Sequence, residues 1–314
     1  MAEMFIWTEK YRPQKLPDVV NQKHVTDALK SWVKDRNIPH IILAGPAGIG
    51  KTTIALCISK EIFGENWREN LLELNASDDR GIDIVRGKIK DFARTKPIGS
   101  DFRIIFLDES DSLTPEAQQA LRRTIERFSG VCRFILSCNY SNRLIEPIQS
   151  RCAVFRLKQL GKEDVYEYIG RVVKGEKLDI TEDGKEAIFD LSEGDMRKAT
   201  NLLQASSTFG KITKDVVFTV AAQAKPKDVR EMVGLAVSGN FAEARKKLYD
   251  LLVNQGLSGD DVIKAVHREI FSLDMSEEKK LCFIEKLGEY EFRMNQGSNE
   301  IIQLEALLAQ MGRK

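Results

Sequence analysis

The segment that most narrows the fold is Ile41-Ile42-Leu43-Ala44, which runs straight into Gly45-Pro46-Ala47-Gly48-Ile49-Gly50-Lys51-Thr52, with Ile54-Ala55-Leu56 behind it. Four consecutive apolar residues read as a strand buried on both faces, and the apolar residues after Lys51 open a helix. Between them lies a glycine-rich turn of the form G-x-x-x-x-G-K-[ST]. Glycines at these positions let backbone N–H groups turn inward around phosphate oxygens. The positive end of the helix starting near Lys51 points at the same spot.

The rest of the first half repeats this alternation. Leu71–Leu74, Ile104–Leu107, Phe134–Ser137 and Val154–Leu157 are further short apolar runs, with helical stretches at Thr52–Phe63, Asp83–Arg94 and Pro115–Phe128. Thr114-Pro115-Glu116 is a helix start: a capping hydroxyl, a proline in the first turn, then an acid at the positive end. The pattern predicts an α/β parallel sheet covered by helices. After about residue 158 the strands stop. Asp164–Val173, Glu182–Leu191 and Asp195–Thr208 form a small helical group, and five helical stretches follow from Lys225 onward. We expect three domains, 1–157, 158–224 and 225–314, which suits a chain of 314 residues.

No apolar run approaches the ~18–20 residues of a membrane span, and Met1 to Arg12 lack the pattern of a secretory signal. Five cysteines at irregular spacings, with no C-x-x-C pair, argue against a disulfide framework or a zinc site. They point to a reducing, intracellular compartment.

Within the loop, Lys51 is placed to reach β- and γ-phosphates, and the Thr52 hydroxyl to ligate magnesium. The strand Ile104–Leu107 ends in Asp108-Glu109. Asp108 can hold magnesium through its water shell, and Glu109 can orient and deprotonate an attacking water. Adjacent acids favour hydrolysis over transfer to a second substrate. At the end of the next strand, Asn139 can hydrogen-bond a γ-phosphate or the attacking water; alone, such a residue is more often a strand-end turn. Arg151, in Ser150-Arg151-Cys152, and Arg197, in Gly194-Asp195-Met196-Arg197, read in isolation as surface ion-pair partners.

Taken in order, these parts resemble the AAA+ ATPases, and within them the small-subunit family of replication factor C, the clamp loader, in its archaeal form. The resemblance covers nearly the whole chain. It is carried most specifically by Trp7-Thr8-Glu9-Lys10-Tyr11-Arg12-Pro13, Asn75-Ala76-Ser77-Asp78-Asp79-Arg80-Gly81-Ile82-Asp83, Asp108-Glu109-Ser110-Asp111 and Ser150-Arg151-Cys152. It implies ATP and Mg2+ as cofactors, held by Gly45 to Thr52 with Thr53. Tyr11, Arg12, Val19 and Val20 would lie around adenine, in a segment that also reads as a strap over the core. It further implies that Asn139 is the first sensor, Arg197 the second sensor on a helical lid, and Arg151 a finger inserted into the neighbouring subunit's site. Implied partners are a ring-shaped sliding clamp, a large subunit, other copies of the small subunit and primer–template DNA, with no membrane, in the cytoplasm at the nucleoid. The chain departs from the family at Ala47 and Ile49, where proline and threonine are usual, at Ser110 for alanine and at Asn21 for glycine. Backbone groups do the cradling, so phosphate binding is expected to survive; loop rigidity is what the lost proline bears on. Asn21 tolerates the positive φ of a turn.

A net charge of +1 conceals a division. Residues 1–157 carry 24 basic and 20 acidic side chains, whereas 158–224 and 225–314 are mildly acidic. Arg86, Lys90 and Arg94 fall on one helical stripe that can follow a phosphate backbone without reading bases; the same stripe also reads as a solvated face. The resemblance favours DNA, with Arg80, Arg86 and Lys90 as contacts and Arg122 and Arg123 as a second set. Ile89 and Phe92 read as core, or as exposed anchors for the clamp. The expected activity is that of a motor subunit whose ATP binding and hydrolysis, stimulated by DNA and clamp, load the clamp onto DNA. The alternatives are a nucleotide-binding structural subunit and an AAA+ helicase or branch-migration motor.

Overall fold

The structure, a computed structural model, describes residues 6–78, 80–221 and 224–312. Asp79 of the Asn-Ala-Ser-Asp segment lies outside the described residues, as do the outer ends of the first and last expected domains and residues 222–223 beside the boundary expected at 224. Among the described residues, no helix is long and apolar enough to cross a membrane. Contacts divide the chain into two compact units: one reaches Lys177 and includes Phe189–Gln204, and the other comprises Leu178–Ile188 and the chain from Ala205 onward.

In the first unit, β1 (His40–Ala44), β2 (Leu71–Asn75), β3 (Arg103–Asp108), β4 (Cys132–Cys138) and β5 (Cys152–Arg156) form one parallel sheet in the order β2-β3-β4-β1-β5. All five apolar runs are therefore strands. Only the inner three are buried nearly throughout; β2 and β5, at the two margins, are partly exposed. Successive side chains leave opposite faces, and on the inner strands both faces are covered. Leu43, Ile104 and Phe106 pack with Leu29, Ile54 and Ile58 on one side. Ile42, Ile105 and Phe134 pack with Ile89, Leu121 and Ile125 on the other. The helix Lys51–Phe63 follows β1, and Pro115–Phe128 follows β3, its Thr114 hydroxyl accepting the Ala117 N–H.

The stretch expected as one helix over 83–94 is broken. An α-turn at Ile82–Ile84 passes into a π-turn, Val85–Ile89, and returns to α-helix at Lys90–Arg94. The extra residue of a π-turn shifts the phase of the turns beyond it, so Arg86, Lys90 and Arg94 do not run at plain α-helical spacing. Val85 and Ile89 are core residues. Phe92 is half-buried, with the Arg103 guanidinium 3.7 Å from its ring centre. Core packing therefore holds for Ile89 and largely for Phe92.

The segment before β1 is tied to the chain leaving β5. Asn21 has φ 57°, the left-handed turn its residue type allows, and its amide donates to Asp164. Gln22 is fully buried and pairs its amide with the Lys158 backbone in both directions, at 2.8 and 3.3 Å. Lys162–Glu176 and Met196–Ser207 are helices, as the sequence predicts.

The second unit is helical. Pro226–Val237, Phe241–Tyr249, Gly259–Ile270, Glu277–Asn295 and Glu300–Met311 enclose a core around Val233, Leu248, Val266, Leu287 and Leu307. Ser258 caps its helix reciprocally with Asp261, satisfying two terminal N–H groups. Phe271 is 57% exposed: the helix ends at Ile270, and Phe271 falls past the buried stripe of Ile263, Val266 and Ile270. The helix Lys214–Val220 and a π-turn at Asp250–Asn254 were not legible in the sequence.

His40 opens β1. Its Nδ1 accepts the Phe134 N–H at 3.1 Å, and its ring meets that of Phe134 edge-on. Burial, helped by the Arg133 charge, pushes its pKa down to about 4. The unfolded chain, with an ordinary imidazole near 6.5, therefore binds a proton that the folded chain refuses. The stability this contributes is complete above about pH 6.5 and is lost as pH falls toward 4. In chemical denaturation at several pH values, His40→Asn is expected to lose less stability than wild type between pH 6.5 and 4.5; an identical pH slope would refute this.

Candidate nucleotide site

β4 lies between β1 and β3, so three strands deliver their carboxyl ends side by side, where ligands bind in open parallel sheets. The loop after β1 keeps Gly45, Gly48 and Gly50 at φ 151°, 69° and 99°, conformations that suit glycine. Ile49, at the variant position, is 3% exposed and belongs to the core that contains Leu157. The buried Ile49 side chain thus anchors the loop two residues after Ala47, which stands in place of the usual proline. At Gly48 the Met196 N–H donates to the carbonyl at 3.0 Å, and a Cβ would collide with the Asp195 carboxylate. The start of the Met196–Ser207 helix is therefore seated on the loop.

Lys51 is 9% exposed. Its Nζ donates to the Gly45 carbonyl at 2.6 Å, the Pro46 carbonyl at 2.6 Å and Asn139 Oδ1 at 2.9 Å. Burial pushes its pKa below the ordinary lysine value, with Asp108 the foremost group pulling the other way. Thr52 Oγ1 donates to Asp108 Oδ2 at 2.7 Å. Asp108 Oδ1 accepts from the Ser137 hydroxyl and from the Glu109 N–H, the latter at 3.0 Å. Asp111 Oδ2 accepts the N–H groups of Asn139 at 3.2 Å and Tyr140 at 3.1 Å, fixing the backbone that carries Asn139.

These groups line one cavity of about 440 Å³. Of the expected site residues, Tyr11, Arg12, Val19, Val20, Ala47, Gly48, Ile49, Gly50, Lys51, Thr52, Thr53, Asp108, Glu109, Asn139 and Arg197 reach its wall. Gly45 and Pro46 stand behind it and present their carbonyls to Lys51. The volume and mixed lining suit a nucleotide-sized ligand. Tyr11 does more than line it: its hydroxyl donates to Glu176 at 2.7 Å, and Lys10 reaches the same carboxylate at 2.6 Å. Burial, then this contact, pushes the Tyr11 phenol up to about 12. The N-terminal strap is thus also one wall of the cavity.

Arg151 does not reach the cavity. Its guanidinium pairs with Glu126 at 2.5 Å and donates to the Pro147 carbonyl at 2.7 Å. It borders a separate surface depression with His40 and Arg133. Arg80 and Arg86 are exposed and Lys90 is half-buried. Sequence reasoning missed Ser137, Asp111 and Glu176. Ser137 and Asp111 stand within sequence motifs, but their partners come from other strands, and nothing local marks Glu176.

Comparison with known proteins agrees with this geometry. Residues 41–160 match the AAA family, described as "ATPase family associated with various cellular activities", and residues 224–310 match the "Replication factor C C-terminal domain". The "Replication factor C small subunit" of Methanococcus maripaludis strain C5 is 51% identical over 308 residues, covering 98% of each chain. That of Staphylothermus marinus is 51% identical over 314 residues, covering 99% of this chain and 95% of the relative. Among solved structures, the Thermotoga maritima RuvB Holliday junction branch migration motor superposes with a TM-score of 0.57 at 20% identity, covering 80% of this chain and 87% of that one. This last likeness concerns the fold alone. From the sheet, the phosphate loop and its two acids, and half-identical relatives along the whole length, the chain belongs to the replication factor C small-subunit family of AAA ATPases.

Proposed function

We propose that the chain is a motor subunit of a sliding-clamp loader, and that its cavity binds and hydrolyses Mg2+-ATP to open a ring-shaped clamp and load it onto primer–template DNA. The observation that carries this reading is the position of Arg151, outside a cavity that gathers Lys51, Asp108, Glu109, Asn139 and Arg197. A site with an acid pair but with this arginine on the outer surface suits hydrolysis completed by a neighbouring subunit. Neighbours would be other copies of this chain and a large subunit. In this reading residues 1–157 are the nucleotide-binding domain, 158–224 the lid and 225–314 the assembly collar.

The Thr52 hydroxyl and the Asp108 carboxylate, 2.7 Å apart, form an all-oxygen donor set that suits magnesium. Bound there, magnesium would neutralise charge on the phosphate oxygens. The loop N–H groups and Lys51 would hold the phosphates, with Lys51 exchanging the carbonyls it now contacts for phosphate oxygens. Glu109 would take the proton of the attacking water, while the Asn139 amide nitrogen orients that water or the γ-phosphate. Arg197 would report the phosphates to the helix seated on Gly48. Arg80, Arg86 and Lys90 would contact the DNA backbone, with Arg122 and Arg123 as a second set.

Lys51, Glu109 and Arg151 together count against a purely structural subunit, which needs none of them. Clamp dependence separates a loader from a branch-migration motor. Steady-state ATPase assayed with primed DNA, a sliding clamp and a large subunit is expected to rise with DNA and clamp together; indifference to the clamp would sink the loader reading. In the same assembly Arg151→Ala is expected to lower stimulated turnover by roughly 10³-fold with ATP affinity nearly unchanged, and an equal loss of ATP binding would remove it from the finger role. Arg86→Glu is expected to weaken DNA binding and to flatten its dependence on salt; an unchanged salt slope would leave that residue on a merely solvated face.

A further inference from the structure

Ser137 stands at the carboxyl end of β4, fully buried, and has no part in the function described above. Its hydroxyl touches both acids of the cavity. It donates to Asp108 Oδ1 and accepts the Glu109 N–H at 3.2 Å. That N–H also reaches Asp108 Oδ1 at 3.0 Å. The other oxygen of Asp108 accepts Thr52 from the opposite side.

We infer that Ser137 is a positioning residue for hydrolysis, fixing the plane of the Asp108 carboxylate and the backbone of Glu109 through one hydroxyl. The inference rests on reading the cavity as a Mg2+-ATP site. A carboxylate swings easily about its last torsion, which has no sharp minima. Thr52 holds one oxygen only; with Ser137 on the other, the plane is fixed from two sides by residues of different elements. Glu109 needs the same support for a different reason. It sits at φ 51°, in the left-handed region that side chains larger than asparagine seldom occupy. The direction in which it leaves the strand depends on what its N–H bonds to. A hydroxyl offers one donor and two acceptor lone pairs, so Ser137 can serve both acids at once. It comes from β4, the strand that lies between the loop and the acids, so metal-holding and water-activating groups share one reference point.

Removing this hydroxyl leaves the Glu109 N–H with Asp108 Oδ1 as acceptor, so Ser137→Ala orphans no buried donor and is expected to fold. The test uses the full-length chain with ATPγS and with Mn2+ as a paramagnetic probe, since manganese accepts the same oxygen ligands as magnesium. In Ser137→Ala, Mn2+ affinity measured by electron paramagnetic resonance is expected to fall roughly tenfold. ATPγS affinity in chelator is expected to stay within about twofold, and turnover in the stimulated assembly to fall at least as far as the metal affinity. Ser137→Thr, which restores a hydroxyl, should recover the metal affinity; Ser137→Gly, measured alongside, should resemble Ser137→Ala. Unchanged Mn2+ affinity in Ser137→Ala, or a parallel loss of metal-free ATPγS binding in both the Ala and Gly variants, overturns the inference. If the wild-type chain itself binds neither ATPγS nor Mn2+, it is the reading of the cavity that fails.

Discussion

The arrangement of this site depends on β4 being inserted between β1 and β3. Sequence order alone would leave the phosphate loop and the Asp108-Glu109 pair on strands with no reason to meet. Because β4 hydrogen-bonds to both neighbours, its end bridges the gap of two strand spacings. Asn139 reaches back to Lys51 on one side, and Ser137 reaches Asp108 on the other. The Lys51 cation and the Asp108 carboxylate are thereby held a fixed distance apart by main-chain hydrogen bonds. Those bonds are buried under two apolar layers, where an unpaired strand would be costly.

The same rigidity extends to the helices around the sheet. Gln22, with no exposed surface, clamps the backbone at Lys158 as a neighbouring strand would, so the chain leaves β5 in a defined direction. Gly48 then accepts the start of the helix that carries Arg197. Tyr11 and Lys10 close on Glu176 at the other wall. These are small contacts, each worth about 1 kcal/mol or less where exposed. Their importance lies in geometry: they bring groups separated by more than a hundred residues onto one cavity.

Electrostatics follow the architecture. The basic excess of the first half is carried by exposed residues such as Arg86 and Arg94 at the surface of the 82–94 segment, while the buried cations are held by neutral groups. Lys51 is surrounded by carbonyl oxygens, and Arg103 lies over Phe92 and bonds the Phe92 carbonyl. A cation held by carbonyls can turn to an anionic ligand without breaking an ion pair, whereas one locked to a carboxylate would first have to break that pair.

Much of this was legible in the sequence because its cause is local. Strand runs, the glycine loop, the Thr114 cap and the turn at Asn21 depend on residue type and spacing over a few positions, and these dictate an α/β sheet, a phosphate-binding turn and helices after residue 158. The family motifs extended that reading to Asn139, Arg151 and Arg197. What the sequence could not decide is everything set by contacts between distant segments. The π-turn at Val85–Ile89 breaks an otherwise regular helical pattern, Phe271 falls just outside its helix's buried stripe, and Ser137 gains its place only when β4 lies beside β3. Local propensity is a property of neighbouring residues, whereas strand order, burial and the direction of a hydroxyl are settled by packing, where one buried partner outweighs several local preferences.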